Sequence, residues 1–178
     1  MKKIKTRKIT FDDIDQLQAI GIRTFTESFA AYNTVENMNT YLAEGFSKET
    51  LTTGLTNKNS AFYFAELDNE IIGYLKINVG DAQTENQDHN ALEIERIYVL
   101  KKFHGKKVGQ MLYEQAIKIA RQKKVDYVWL GVWEKNPRAL RFYQKNGFVA
   151  FDQHVFPMGD DPQIDIMMKL ELNTISEQ

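Results

Sequence analysis

The sequence predicts a mixed α/β fold, a twisted sheet flanked by helices. Three observations predict it. Strand-like runs and helical periodicities alternate in the order β-α-α-β-β-β-α-β-α-β-β. Asp126 to Val132 is nearly continuous apolar sequence, as in a central strand covered on both faces. The unit from Leu92 to Val132 reads strand, helix, strand, which predicts a right-handed crossover between parallel strands.

Each element has its own signal. Lys2 to Ile9 reads as a first strand. Thr10 caps a helix, with Asp13 completing a weak capping box. Ile14, Leu17, Gly21, Phe25 and Phe29 then recur at helical spacing. Val35 to Phe46 predicts a second helix, and Ser47 caps a short third. Ala61 to Leu67 and Ile71 to Val79 flank the turn Asp68-Asn69-Glu70 as a hairpin. Gly80 to Asn90 is a polar loop, and Ala91 to Val99 a strand. From Lys107 the period changes, and Val108, Met111, Leu112, Ala116, Ile119 and Ala120 mark one helical face. Asn136 caps a further helix with Pro137 in its first turn, and Gly147 stops it. Two strands follow, near Phe148 to Val155 and Ile164 to Leu172.

The 178 residues fit one domain, expected over 1–172 with a frayed polar tail at 173–178. There is no cysteine, which excludes disulfides, thiolate metal sites and a cysteine nucleophile. The longest strongly apolar run, Tyr127 to Trp133, is far short of the ~20 residues of a membrane helix. No apolar segment follows the basic start Met1-Lys2-Lys3, so a secretory signal is not expected and the cytoplasm is the default location. A net charge of −1 weakens a nucleic-acid reading.

Two segments carry chemistry. In the first, the strand Ile94-Glu95-Arg96-Ile97-Tyr98-Val99 feeds a loop that opens a helix near Lys107. Free N–H groups and the helix dipole make such a start an anion site. Lys101, Lys102, His104, Lys106 and Lys107 add positive charge, suited to a phosphate-rich ligand, although a solvated basic turn would look the same. In the second, Asn136 ends a loop with its amide free for a ligand, and Tyr143 lies about two turns along the same helical face. Tyr143 would also serve as plain core beside Phe142.

Together these segments resemble the GNAT superfamily of acetyl-CoA-dependent N-acetyltransferases, over about Ala61 to Phe148. The motif Asn136-x-x-Ala139-x-x-Phe142-Tyr143-x-x-x-Gly147-Phe148 and the strand ending Glu95-Arg96-Ile97-Tyr98-Val99 carry the resemblance. A narrower likeness, to PaiA-like spermidine/spermine acetyltransferases, rests on Thr24-Phe25…Phe29, Glu36-Asn37-Met38…Tyr41-Leu42 and Leu130-Gly131-Val132-Trp133-Glu134. It also rests on His154 to Asp161, with Gln163, Asp165 and Met168.

The resemblance implies a GNAT fold whose sheet splays between the fourth and fifth strands. Acetyl-CoA, as the donor co-substrate, would enter the gap. Ile97, Tyr98 and Val99 would hold its pantetheine arm like an added strand. His104, Gly105, Lys106, Lys107, Val108, Gly109 and Gln110 would take its pyrophosphate. Asn136 would bind the cofactor arm, and Tyr143 would lie near the sulfur. The loop departs from the family pattern of Gln or Arg, two residues, Gly, one residue, Gly or Ala. His104 stands at the Gln/Arg position and Lys107 at the first Gly; only Gly109 matches, and Gly105 is two places early.

The chemistry would be direct acyl transfer to an amine. Amine pKa values near 10 mean that the acceptor arrives charged and must lose a proton. Glu93 and Glu95 share one strand face and are the candidate bases and substrate contacts, with Glu95 favoured because the resemblance places it deeper in the cleft. Tyr143 is the proposed acid. No metal is expected, since His89, His104 and His154 lack a local metal spacing, and His154 reads as structural. Asp81, Glu85, Asp88, Glu93 and Glu95 form an acidic approach for a small cationic amine such as spermidine or spermine. Phe25, Phe29, Tyr32, Tyr41 and Phe46 read as core. The alternatives are a protein or peptide N-acetyltransferase, and a weakly catalytic CoA-binding regulatory module. Homodimers occur often in such folds, and no interface is identifiable in the sequence.

Overall fold

The computed structural model describes residues 3–85 and 90–172. The predicted tail at 173–178, Asp88 and His89 lie outside these. Local signals set most element ends. The first strand, β1 (Lys5–Lys8), is shorter than the predicted run. The Asp13 carboxylate accepts the Thr10 N–H at 2.8 Å and ion-pairs with Arg7 at 2.9 Å. A 3-10 turn then opens α1 (Ile14–Phe29). Thr34 and Ser47 cap α2 (Val35–Gly45) and α3 (Lys48–Thr56), each accepting a backbone N–H at 3.1 Å.

The hairpin strands are β2 (Ser60–Leu67) and β3 (Glu70–Val79), with Asp68 and Asn69 at positive φ in the turn. β4 (Ala91–Val99) leads to α4 (Val108–Gln122), β5 (Tyr127–Trp133) and α5 (Pro137–Lys145). β6 (Val149–Met158) and β7 (Asp161–Glu171) close the chain. Both run further toward each other than predicted, because Pro157 pairs with Pro162 inside the hairpin. β6 is a sheet edge, and the start of β7 projects past β5, so neither proline costs a ladder bond to a third strand.

The described strands form one sheet in the order β1-β2-β3-β4-β5-β7-β6. All pairings are antiparallel except β4 with β5, the predicted crossover. That parallel pairing covers only Ala91 to Glu93 against Tyr127 to Trp129. Beyond Glu93 the two strands part, which is the splay expected from the resemblance. Leu17, Ile20, Gly21, Thr24 and Phe25 of α1 and Val108, Leu112, Tyr113, Ala116, Ile119 and Ala120 of α4 are buried. Tyr113, rather than Met111, completes the inner face of α4. No helix among the described residues is long and apolar enough to cross a membrane.

Candidate active site

The parting of β4 and β5 opens two cavities that share Tyr98 as a wall. The larger, about 700 Å³, lies between the outer half of β4, the start of α4 and α5. Here β4 keeps one paired edge. The Leu100 N–H donates to the Ile72 carbonyl at 2.9 Å, which fixes the phase of the strand. Alternation turns the N–H and C=O groups of Ile97 and Val99 away from β3, to the open edge. That edge can accept an extended amide-bearing chain as an added strand.

The loop that follows supplies the anion end. Lys107 caps α4 with φ 63°, the left-handed region. It thus adopts the backbone shape that the family pattern assigns to glycine, at a strain of about 1–3 kcal/mol. The N–H groups of Val108, Gly109 and Gln110 have no partner within the helix. Gly109 has an open front: an added Cβ would meet only Val99 Cγ2 at 4.0 Å. Nothing inside the protein requires glycine there, whereas close approach of a ligand to the backbone would.

His104 accepts from the Arg138 guanidinium through Nδ1, because arginine can only donate. Its Nε2 therefore carries the proton and donates to the Val99 carbonyl at 2.8 Å. Burial, and then Arg138, push the imidazole below its usual pKa, which keeps this neutral tautomer. Of the residues predicted for the cofactor, Ile97, Tyr98, Val99, His104, Gly105, Lys107, Val108, Gly109, Gln110, Asn136 and Tyr143 all line this cavity. Lys106 does not; its ammonium lies 5.0 Å over the Phe103 ring. Arg138 and Lys145 line the cavity unforeseen, and their basic character was the only available signal.

Two expectations about α5 need refinement. The Asn136 Oδ1 is not free, since it accepts the Ala139 N–H at 3.1 Å as the helix cap. Only its amide N–H₂ is left for a ligand. Tyr143 is both core and cavity wall: it is 6% exposed and packs edge-on to Phe142 and Phe148. Burial raises its phenol well above the usual range, so it stays protonated and able to donate.

The smaller cavity, about 260 Å³, lies on the inner side of the split, bounded by β4, β5, β7 and α1. Glu93 and Glu95 both face it, tied to one amide: Asn78 Nδ2 donates to Glu93 at 3.0 Å and to Glu95 at 2.6 Å. A bulge between Lys76 and Ile77 of β3 leaves Glu95 as the extra residue of β4. Burial pushes the Glu93 carboxyl up, against hydrogen bonds from Asn78 and Thr84. Glu95 is held below the usual range despite burial, because Lys76, at 2.5 Å, and Arg96 stabilise its charge.

The opposite walls bring residues that sequence reasoning undervalued. Phe25, Phe29 and Tyr41, read as core, line this cavity, as does His154, whose Nδ1 pairs with Glu85. The tip of the β6–β7 hairpin bends over it. Asn37 Nδ2 donates to the Met158 carbonyl at 3.0 Å, and Gln163 Nε2 to Asn33 Oδ1 at 2.8 Å. This hairpin carries Gln163 and Asp165, which appeared in the sequence only within the family likeness. Among the described residues no cluster of three or more His, Asp or Glu could hold a metal ion.

Comparison with known proteins decides the family. The model of the Acetyltransferase (GNAT) family matches residues 22–148. This chain belongs to the GNAT acetyltransferase family. An uncharacterised N-acetyltransferase of Lactobacillus delbrueckii subsp. lactis is 38% identical, covering 97% of this chain and 99% of that protein. A spermidine N(1)-acetyltransferase of Thermoplasma acidophilum is 26% identical over 84% of this chain and 90% of its own length. The crystal structure of PaiA N-acetyltransferase from T. acidophilum, in complex with coenzyme A, superposes with a TM-score of 0.79 at 25% identity. The alignment covers 96% of this chain and 99% of that one. The chain is thus a GNAT-family N-acetyltransferase, and the acetyl donor of this family is acetyl-CoA.

Proposed function

We propose that this GNAT enzyme transfers an acetyl group from acetyl-CoA to a primary amine of a polyamine such as spermidine or spermine, directly, with both substrates bound. The observation that carries the acceptor class is the small cavity. It is narrow, walled by aromatic rings, and holds the carboxylates of Glu85, Glu93, Glu95 and Asp165. A slender aliphatic cation suits such a space, whereas a polypeptide needs an open groove, and here the hairpin tip is tied down to the start of α2. The spermidine-acetylating relative points the same way.

The larger cavity fits acetyl-CoA on this chain's own features: the open edge at Ile97 and Val99, the bare front of Gly109 and the basic rim of Lys107, Arg138 and Lys145. When bound there, acetyl-CoA would supply an activated thioester carbonyl, with Tyr98 as the wall between donor and acceptor. Tyr143 holds its proton and gives it to the departing sulfur. The neutral amine would attack the carbonyl as the C–S bond breaks. Glu95, ionised, would take the proton that the nitrogen sheds as the C–N bond forms, directly or through water, while Glu93 would help to orient that nitrogen. Location in the cytoplasm remains part of this proposal, and a dimer is not required by it.

Thiol release from acetyl-CoA across a panel of spermidine, spermine, an amino sugar and short peptides tests the reading. Saturable release with polyamines, giving products of acetylated mass, is expected. Tyr143→Phe is expected to lower kcat about 100-fold, with KM for acetyl-CoA little changed. Release with peptides alone would move the function to protein acetylation. Binding of CoA without release to any amine would make the chain a regulatory module.

A further inference from the structure

Most polar groups facing the acceptor cavity are already partnered. Glu95 pairs with Lys76 and Asn78, Glu93 accepts from Thr84 and Asn78, and Glu85 pairs with His154. Two groups on β7 are not. Gln163 is only 7% exposed, and its Nε2 donates to Asn33 Oδ1 at 2.8 Å and to Asp161 Oδ2 at 3.0 Å. Those two bonds fix the amide's orientation and leave Oε1 buried without a donor. An orphaned acceptor of this kind costs about 1–3 kcal/mol unless something donates to it.

Asp165 stands two residues on, so strand alternation turns it to the same side. It is half-buried, burial pushes its carboxyl above the usual range, and its carboxylate accepts no hydrogen bond among the described residues. Its cross-strand neighbour is His154, whose Nδ1 pairs with Glu85. Room for the carboxylate comes from Gly131 of β5, whose added Cβ would stand 3.3 Å from Asp165 Oδ2.

We propose that Asp165 and Gln163 form a seat for a second ammonium of the acceptor, on the far side of β5 from Glu93 and Glu95. The seat offers the Asp165 carboxyl and the Gln163 amide oxygen to N–H donors. Two strands' spacing, widened by the splay of β4 from β5, separates the seat from Glu95, so the nitrogens so held are at least about 10 Å apart. The acceptor is therefore at least a diamine, and its distance from this seat selects which nitrogen is acetylated. This inference rests on the polyamine reading and adds the residues that measure the substrate.

The test compares spermidine with simple alkyl monoamines on the native enzyme and on Asp165→Asn and Asp165→Ser, with the product isomers separated. The native enzyme is expected to favour spermidine strongly and to give chiefly one isomer. Both variants should cut the ratio of spermidine to monoamine kcat/KM by about tenfold or more, mainly through KM, and should mix the isomers. A merely structural Asp165 would lower all rates together and leave the isomer ratio alone. Unchanged preference and a single isomer in both variants would overturn the seat while leaving polyamine acetylation standing. Monoamines turned over as well as spermidine by the native enzyme would overturn it too, without recourse to any variant. Should no amine be acetylated, nor any bind the CoA-loaded protein by calorimetry, the seat and the polyamine reading would fall together.

Discussion

Glu95 and Tyr143 hold opposite protonation states for opposite reasons. Lys76 and Arg96 outweigh burial at Glu95 and keep it ionised, whereas burial, with Tyr113 beside it, raises the Tyr143 phenol and keeps it protonated. A pH prediction follows from the sign. Since the Glu95 carboxyl titrates below the ordinary carboxylate range, it is charged throughout neutral pH. The rise of kcat/KM between pH 7 and 9 should then report loss of the amine's own proton. Glu95→Gln is expected to lower kcat/KM about 10- to 100-fold and to keep that rise. Rate profiles across this range check it, and a flattened profile in the variant would assign the titration to Glu95 itself. At this scale the sequence displayed residue types but not their partners. The shared face of Glu93 and Glu95 was legible from alternation; the Asn78 amide that ties them comes from β3, and the charge of Lys76 that separates their behaviour does too. Asn136 was legible twice over, as a cap and as a ligand group, and only coordinates divide its two ends between those tasks.

Among the elements, the start of α4 gathers the groups proposed to bind the donor. Its loop lacks the first glycine of the family pattern, yet Lys107 takes the left-handed φ that such a glycine would take. Gly109 has the opposite character: its surroundings tolerate a side chain and only a ligand would not. Gly109→Ala should therefore leave folding stability unchanged or raise it by up to about 1 kcal/mol, since alanine is the better helix former. The same change should raise KM for acetyl-CoA severalfold. Urea denaturation beside donor titration would check both directions, and a loss of stability would show that glycine serves packing instead. Helix caps, the β2–β3 turn and the β4 boundaries were legible because each rests on local rules. The β6–β7 tip was not: the strands were expected only to Val155 and from Ile164, short of Pro157 and Pro162. Edge placement, a property of the whole sheet, is what makes them tolerable.

For the molecule as a whole, three residue pairs form the β4–β5 ladder among the described residues. A chain bound along the open edge of β4 would supply pairing that the protein lacks. Acetyl-CoA or CoA at 100 times its Kd is expected to stabilise the fold by about 2.7 kcal/mol. Hydrogen exchange should slow most at Ile97, Val99 and the first turn of α4. Protection confined to surface lysines would place the ligand elsewhere. Fold class, the order of elements along the chain and the parallel β4–β5 crossover were legible from periodicity, while the placing of β7 beside β5 was not and the splay came only through the family likeness. The gap is an absence of contacts, which hydrophobic patterning does not encode. The wall that the two cavities have in common carries a last consequence. Tyr98 touches both spaces, so a donor that shifts its ring reshapes the room left for the amine. Thermodynamic linkage then works in both directions: whatever factor acetyl-CoA applies to the dissociation constant of the amine, the amine applies to that of acetyl-CoA.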